Sequence, residues 1–199
     1  MSYELLRYFI PLYFLALVSV CFLWRWFAFY QKTGKSPIIF HDTESAHGYL
    51  ARILMYFVFV GAFVIFLFSL HPSQYQRLKP FELPEIAQFF GMTFLLISLV
   101  VMGIARSQMG ASFRIGIDNR QKTALVHKGL YKFTRNPIYL GMELALIGFF
   151  LSIPNIVSLV MLVLGHFTLQ VEIRLEEAHL LALHGDEFRA YCKRVRRWV

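Results

Sequence analysis

Residues 138–171 form a run of 34 residues with a single charge, Glu143, and nothing else in the chain limits its fold as strongly. As one helix the run would be about 51 Å long at 1.5 Å per residue, against a hydrocarbon core of ~30 Å. Its middle reads Ser152-Ile153-Pro154-Asn155. Proline interrupts the helical hydrogen-bond ladder, and asparagine tolerates turn geometry. The pattern therefore predicts a tight hairpin with legs near residues 138–153 and 156–171.

Three further apolar blocks precede it: residues 5–24, with Arg7 near the outer end, and the uncharged stretches around 53–70 and 86–105. The chain is 57% hydrophobic, where a soluble domain has ~45–50%. The excess sits in these blocks, which marks a membrane protein. The first block resembles a signal peptide only superficially. It has no small-residue cleavage site and ends in Trp24-Arg25-Trp26, which suits the interfacial anchor of a retained helix.

The net charge of +8 would suggest a nucleic-acid partner in a soluble chain. Here the cations lie between apolar blocks, where they meet lipid headgroups, so no nucleic acid is expected. Arg25, Lys32, Lys35 and Arg52 follow the first block. Arg106, Arg114, Arg120, Lys122, Lys128, Lys132 and Arg135 follow the third, and Arg174, Arg189, Lys193, Arg194, Arg196 and Arg197 fill the tail. Five spans place all three groups on one face, which the positive-inside bias makes cytoplasmic. Four spans would split them.

The expected fold is all-α integral membrane: about five transmembrane helices including the C-terminal hairpin, a cytoplasmic loop, and amphipathic C-terminal helices. It is a single membrane domain, 1–199, with three spans in 1–105 and the catalytic part in 106–199. The N-terminus is expected outside and the C-terminus cytoplasmic, in a bacterial plasma membrane or the endoplasmic reticulum. Beyond residue 172 a helix should continue out of the membrane. Gly185-Asp186 should end it and N-cap a short helix on the membrane surface. Cys21 and Cys192 make no disulfide framework, and no CxxC or HExxH pattern supports a metal site.

Polar residues gather at the expected cytoplasmic boundary. Arg135 and Asn136 stand beside Pro137 at a helix start, where free N–H groups and a cation would suit a carboxylate ligand. Glu172, Arg174, Glu176 and Glu177 stand where the last span ends, with Glu172 and Glu176 one turn apart. Carboxylates there would hold an amino group or take a proton. Within the spans, Glu143 shares a helix face with Tyr139 and is either paired or functional. His166 and Gln170 read as interhelical hydrogen-bonding residues.

The ordered set Leu125-Val126, Gly129, Tyr131, Arg135-Asn136-Pro137 and Tyr139 resembles the L-V-x-x-G-x-Y-x-x-x-R-H-P-x-Y signature of the isoprenylcysteine carboxyl methyltransferase and phospholipid methyltransferase superfamily. Glu176-Glu177, Leu180, Gly185, Phe188 and Tyr191 are similar to its C-terminal ending, and Gly110-Ala111-Ser112-Phe113-Arg114 to its G-x-S-W stretch. The resemblance covers roughly the C-terminal half. Asn136 replaces the usual His and cannot titrate.

The resemblance implies an S-adenosylmethionine-dependent methyltransferase acting on a lipophilic acceptor that enters from the bilayer. That acceptor would be the carboxyl group of an isoprenylcysteine-like molecule, a phospholipid amine or a small thiol. Val126, His127, Gly129, Tyr131, Arg135, Asn136, Tyr139, Glu176 and Glu177 would bind the cofactor, and Arg135, Glu172, Arg174 and Glu176 would serve the reaction. An NADPH-dependent membrane reductase and a non-enzymatic membrane scaffold are the competing classes.

Overall fold

The computed structural model describes residues 3–20, 46–109 and 125–198. Helix α1 is Tyr3–Val18, α2 is Ala46–Leu70, α3 is the single turn Pro72–Tyr75, and α4 is Glu85–Met109. The hairpin follows as α5, Pro137–Ser152, and α6, Ile156–His184, and the chain closes with α7, Asp186–Arg194. Only isolated bridges and no strand occur among the described residues. Residues 21–24 of the first expected span, and the cations Arg25, Lys32 and Lys35, lie outside the described residues.

Helices α2, α4 and α6 are long and apolar enough to cross a membrane, and α5 is a shorter apolar helix. Large apolar side chains face outward along them, among them Phe59, Phe63, Phe89, Ile97, Val160 and Phe167. Water would penalise such a surface; a bilayer solvates it. The chain is an all-α integral membrane protein.

The interior joins Leu6, Ile10 and Tyr13 of α1 to Val64, Ile65 and Phe68 of α2, with Leu95, Phe149 and Met161 closing the packing. Tyr13 and Ser98 share a buried hydrogen bond of 2.8 Å. Helices α4 and α5 cross closely on glycines. A Cβ on Gly148 would come within 2.8 Å of the Gly91 carbonyl oxygen, and one on Gly91 within 2.8 Å of the Ser152 nitrogen. Small residues of this kind let backbones approach inside a membrane.

The hairpin turn is where the sequence placed it, and Asn155 works there as a helix cap. It is extended, with φ −156°, and its side chain accepts from Val157 and Ser158 nitrogens while Ser158 Oγ accepts from its own N–H. Phe81 N donates to the Pro154 carbonyl at 3.0 Å, so the loop before α4 packs on this turn. Arg7 Nε donates to the Ser69 carbonyl at 2.7 Å, bringing the start of α1 to the end of α2. The end of α4, the start of α5 and the far end of α6 occupy the opposite end of the bundle.

Helix α6 has 29 residues, about 43 Å of helix, so it overshoots the hydrocarbon core. Gly185, at φ +55°, reverses the chain and serves both as the C-cap of α6 and the N-cap of α7. Asp186 is therefore the first helical residue, not the cap, because only glycine takes this φ without strain. Helix α7 packs its apolar face on the rest of the protein. Phe188, Tyr191 and Val195 are buried in a cluster with Leu125 and Leu180, so its one apolar face is covered by protein.

Candidate active site

Gly129, at φ +63°, starts the turn that leads into α5, and the side chain of Gln108 fills the space where a Cβ would stand. Gln108 Oε1 accepts from Leu130 N at 2.8 Å, tying this turn to the end of α4. The C-terminal tail then lies along it. Tyr191 donates its hydroxyl to the Tyr131 carbonyl at 2.7 Å, Arg135 N donates to the Arg196 carbonyl at 3.0 Å, and Thr134 Oγ1 to the Arg197 carbonyl at 3.1 Å.

Glu177 sits at the centre of this clasp. Its Oε1 accepts from Arg135 Nε at 3.0 Å and Asn136 Nδ2 at 3.2 Å, and its Oε2 from Arg197 Nε at 3.1 Å and Nη2 at 2.7 Å. Burial disfavours its charge, but the Arg197 hydrogen bonds, the Arg135 guanidinium and Asn136 outweigh that and hold the carboxyl below its ordinary range. Arg135 Nη1 also donates to the Cys192 and Val195 carbonyls, both at 3.1 Å, satisfying groups at the end of α7.

Glu176 points elsewhere, because neighbouring helical residues are rotated by about 100°. Tyr139 hydrogen-bonds it and lies within electrostatic reach of Glu172 and Tyr131. Burial, then the negative charge of Glu176, push the Tyr131 hydroxyl above its ordinary range; Arg106, buried at the end of α4, pulls the other way. Arg106, Tyr131, Tyr139, Glu172 and Glu176 thus form a second cluster, beside the clasp. It combines two carboxylates, two aromatic faces and a guanidinium, the complement of a zwitterion carrying a further cation.

The residues expected from the sequence divide accordingly. Tyr131, Tyr139, Glu172 and Glu176 come together. Arg135 and Asn136 stand at the helix start as expected, with Arg135 Nε and Nη1 and Asn136 Nδ2 engaged by Glu177 and the tail carbonyls. Arg174 is exposed and turns back to Gln170, at 2.7 Å to its carbonyl and 3.0 Å to its side chain. Among the described residues Gln170 therefore serves its own helix. Val126 is half-buried, and exposed His127 keeps its ring Nδ1 3.2 Å from the Leu125 carbonyl. Gly110 to Arg114 lie outside the described residues.

Arg106, Gln108 and Arg197 were read only as boundary residues or not at all. A signal for Arg106 was present: the buried face of α4 runs Gly91, Leu95, Ser98, Met102 and then Ala105 and Arg106, so helical periodicity carries the arginine inward. Nothing local marked Arg197. A groove between α1 and α2, lined by Arg7, Tyr8, Ile65, Phe66 and Ser69, lies at the opposite end of the bundle and shares no residue with either cluster.

Over 115 residues the chain is 33% identical to protein-S-isoprenylcysteine O-methyltransferase of Schizosaccharomyces pombe. The match takes in 56% of this chain and 48% of that protein, so it spans about half the length of the relative. No solved structure matches. Residues 86–187 match the phospholipid methyltransferase family. They include α4, the hairpin and Arg106, Tyr131, Tyr139, Glu172 and Glu176, and they make up half of the chain; the protein belongs to the phospholipid methyltransferase family.

Proposed function

We propose that the protein is an S-adenosylmethionine-dependent methyltransferase acting on a lipophilic acceptor held in the bilayer. The observation that carries this reading is the meeting of Tyr131 and Tyr139 with Glu172 and Glu176, stretches far apart in the chain, at one end of the hairpin. The residues fit the donor. Glu172 and Glu176 would accept from its ammonium, Arg106 would face its carboxylate, and the two tyrosine rings would face its sulfonium, at about 0.5–2 kcal/mol per contact. Val126 and Gly129 would border the nucleoside, with His127 at the rim. Arg135, Asn136 and Glu177 hold the cluster in place and border the donor site.

When bound, the donor supplies an activated methyl group, so the protein contributes alignment and exclusion of water. Residues 106–199 are the catalytic part of a single membrane domain. The basic residues around the site favour the cytoplasmic face for it, with the N-terminus outside. The acceptor enters sideways from lipid. It is one of three kinds: a carboxyl group, as the name of the yeast relative implies, a phospholipid amine, as the family name implies, or a thiol.

Calorimetric titration of the purified protein with S-adenosylmethionine tests the reading. A saturable heat that Glu176→Gln weakens is expected. No saturable heat from folded wild-type protein would sink it.

A further inference from the structure

The seam between α5 and α6 holds one more polar contact, deeper in the hairpin than either cluster. Glu143 Oε1 and His166 Nδ1 meet at 2.9 Å. By helical rise, Glu143 lies about 9 Å into α5 from its start, and His166 about 15 Å into α6 from the turn. Ionisable residues at such depth are costly and mark pathways or sites more often than structure. The pair is also incomplete as a staple. Glu143 Oε2 is buried with no hydrogen-bond partner among the described residues, and the His166 side chain is 43% exposed.

Glu143 lies one helical turn from Tyr139 on the same face of α5, and Tyr139 hydrogen-bonds Glu176. The pair therefore stands beneath the proposed donor site, on the side from which a lipophilic molecule arrives.

We propose that Glu143 and His166 form the head-group subsite of the methyl acceptor, and that this acceptor carries a protic nucleophile, a thiol or an amine. The inference rests on the methyltransferase reading above. Glu143 Oε2 has no hydrogen-bond partner among the described residues, so a head group that brings a hydrogen to donate answers it. A thiol or ammonium supplies what it lacks. A carboxylate acceptor would bring only lone pairs.

Proton balance points the same way. A carboxylate releases no proton on methylation, whereas a thiol or ammonium must lose one where no bulk water can take it. The S–H proton passes to the Glu143–His166 pair, entering at the more exposed His166 ring. The acceptor sulfur forms a bond to the methyl carbon, and the bond from that carbon to the donor sulfur breaks, its electron pair staying on the donor sulfur. The products are a methyl thioether, the neutral demethylated donor, and a proton held on the pair until it leaves. An ammonium gives up one N–H proton by the same route and yields the methylated ammonium.

The test uses full-length protein in nanodiscs of zwitterionic lipid, with S-adenosylmethionine carrying a labelled methyl. Three probes share one chain: hexadecanethiol, hexadecylamine and hexadecanoic acid. Wild type is expected to methylate the thiol or the amine at least tenfold faster than the acid, and the two arms separate those heads. Glu143→Gln should slow that turnover at least thirtyfold while donor affinity by calorimetry stays within twofold. A hexadecylamine bearing a photoreactive group near its head should crosslink to peptides containing Glu143 or His166. His166→Gln breaks the pair from its other side and replaces Glu143→Gln if that variant does not fold.

Variant turnover within twofold of wild type, preference for the acid, label in none of the probes, or crosslinks confined elsewhere would each overturn the proposal while donor binding persists. Absence of donor binding in wild type would bring down the methyltransferase reading itself.

Discussion

Arg135 Nε donates to Glu177 Oε1 at 3.0 Å across 42 residues of sequence. This bond joins the turn before α5 to the far end of α6, and Arg197 closes it from the tail at 2.7 Å. Two cations and one carboxylate depend on each other here, and the carboxylate is only 12% exposed. Removing the carboxylate leaves both guanidinium groups without their counter-charge. Glu177→Ala is expected to destabilise the protein by about 2–4 kcal/mol. Arg197→Ala, at the more exposed end, should cost about 1 kcal/mol. Thermal unfolding in detergent micelles measures both, and equal small effects would contradict the clasp.

The pH dependence of stability follows from two groups outside the membrane. The Glu177 carboxyl is held below its ordinary value of 4.5, so its contribution is present above that pH and is lost as pH falls through the folded value. Burial pushes the Tyr191 hydroxyl from 10.0 up to about 12, against the pull of Arg135. Its contribution is complete below pH 10 and is lost as pH rises towards 12. The unfolding midpoint should be flat between and fall at both ends. Glu177→Gln should flatten the acid limb and Tyr191→Phe should reduce the alkaline one.

Asn155 is fully buried and caps α6 through two backbone N–H groups. Asn155→Ala removes both acceptor contacts and is expected to cost about 1–2 kcal/mol. Chemical denaturation would show a lower midpoint with an unchanged slope. A variant as stable as wild type would mean that the turn is held without its cap.

Gly148 allows α4 and α5 to touch, since an added Cβ would meet the Gly91 carbonyl at 2.8 Å and Leu95 at 2.9 Å. One of the contacts is backbone and cannot rotate away. Gly148→Ala should cost about 1–3 kcal/mol through overpacking, read as a lower unfolding temperature.

Tyr139→Phe keeps the ring and deletes the hydrogen bond to Glu176. If Glu176 binds the donor, loss of a bond to a charged group, about 1.5–3 kcal/mol, should weaken S-adenosylmethionine binding at least tenfold. Unchanged affinity in calorimetry would show that Tyr139 does not support the site.

Hydropathy and the Pro154-Asn155 interruption were enough to place the hairpin turn and the start of both legs to within about one residue, because burial in lipid and helix breaking act over a turn or two of chain. The stop at Gly185 was equally legible, since it needs a backbone that other residues resist. The division of work between Glu176 and Glu177 was not. They are adjacent and chemically identical; one meets Tyr139 and the other is enclosed by Arg135, Asn136 and Arg197. That choice was made by the angle at which α5 and α6 cross and by a tail that folds back along residues 134–136, contacts between segments with no neighbourhood in the chain.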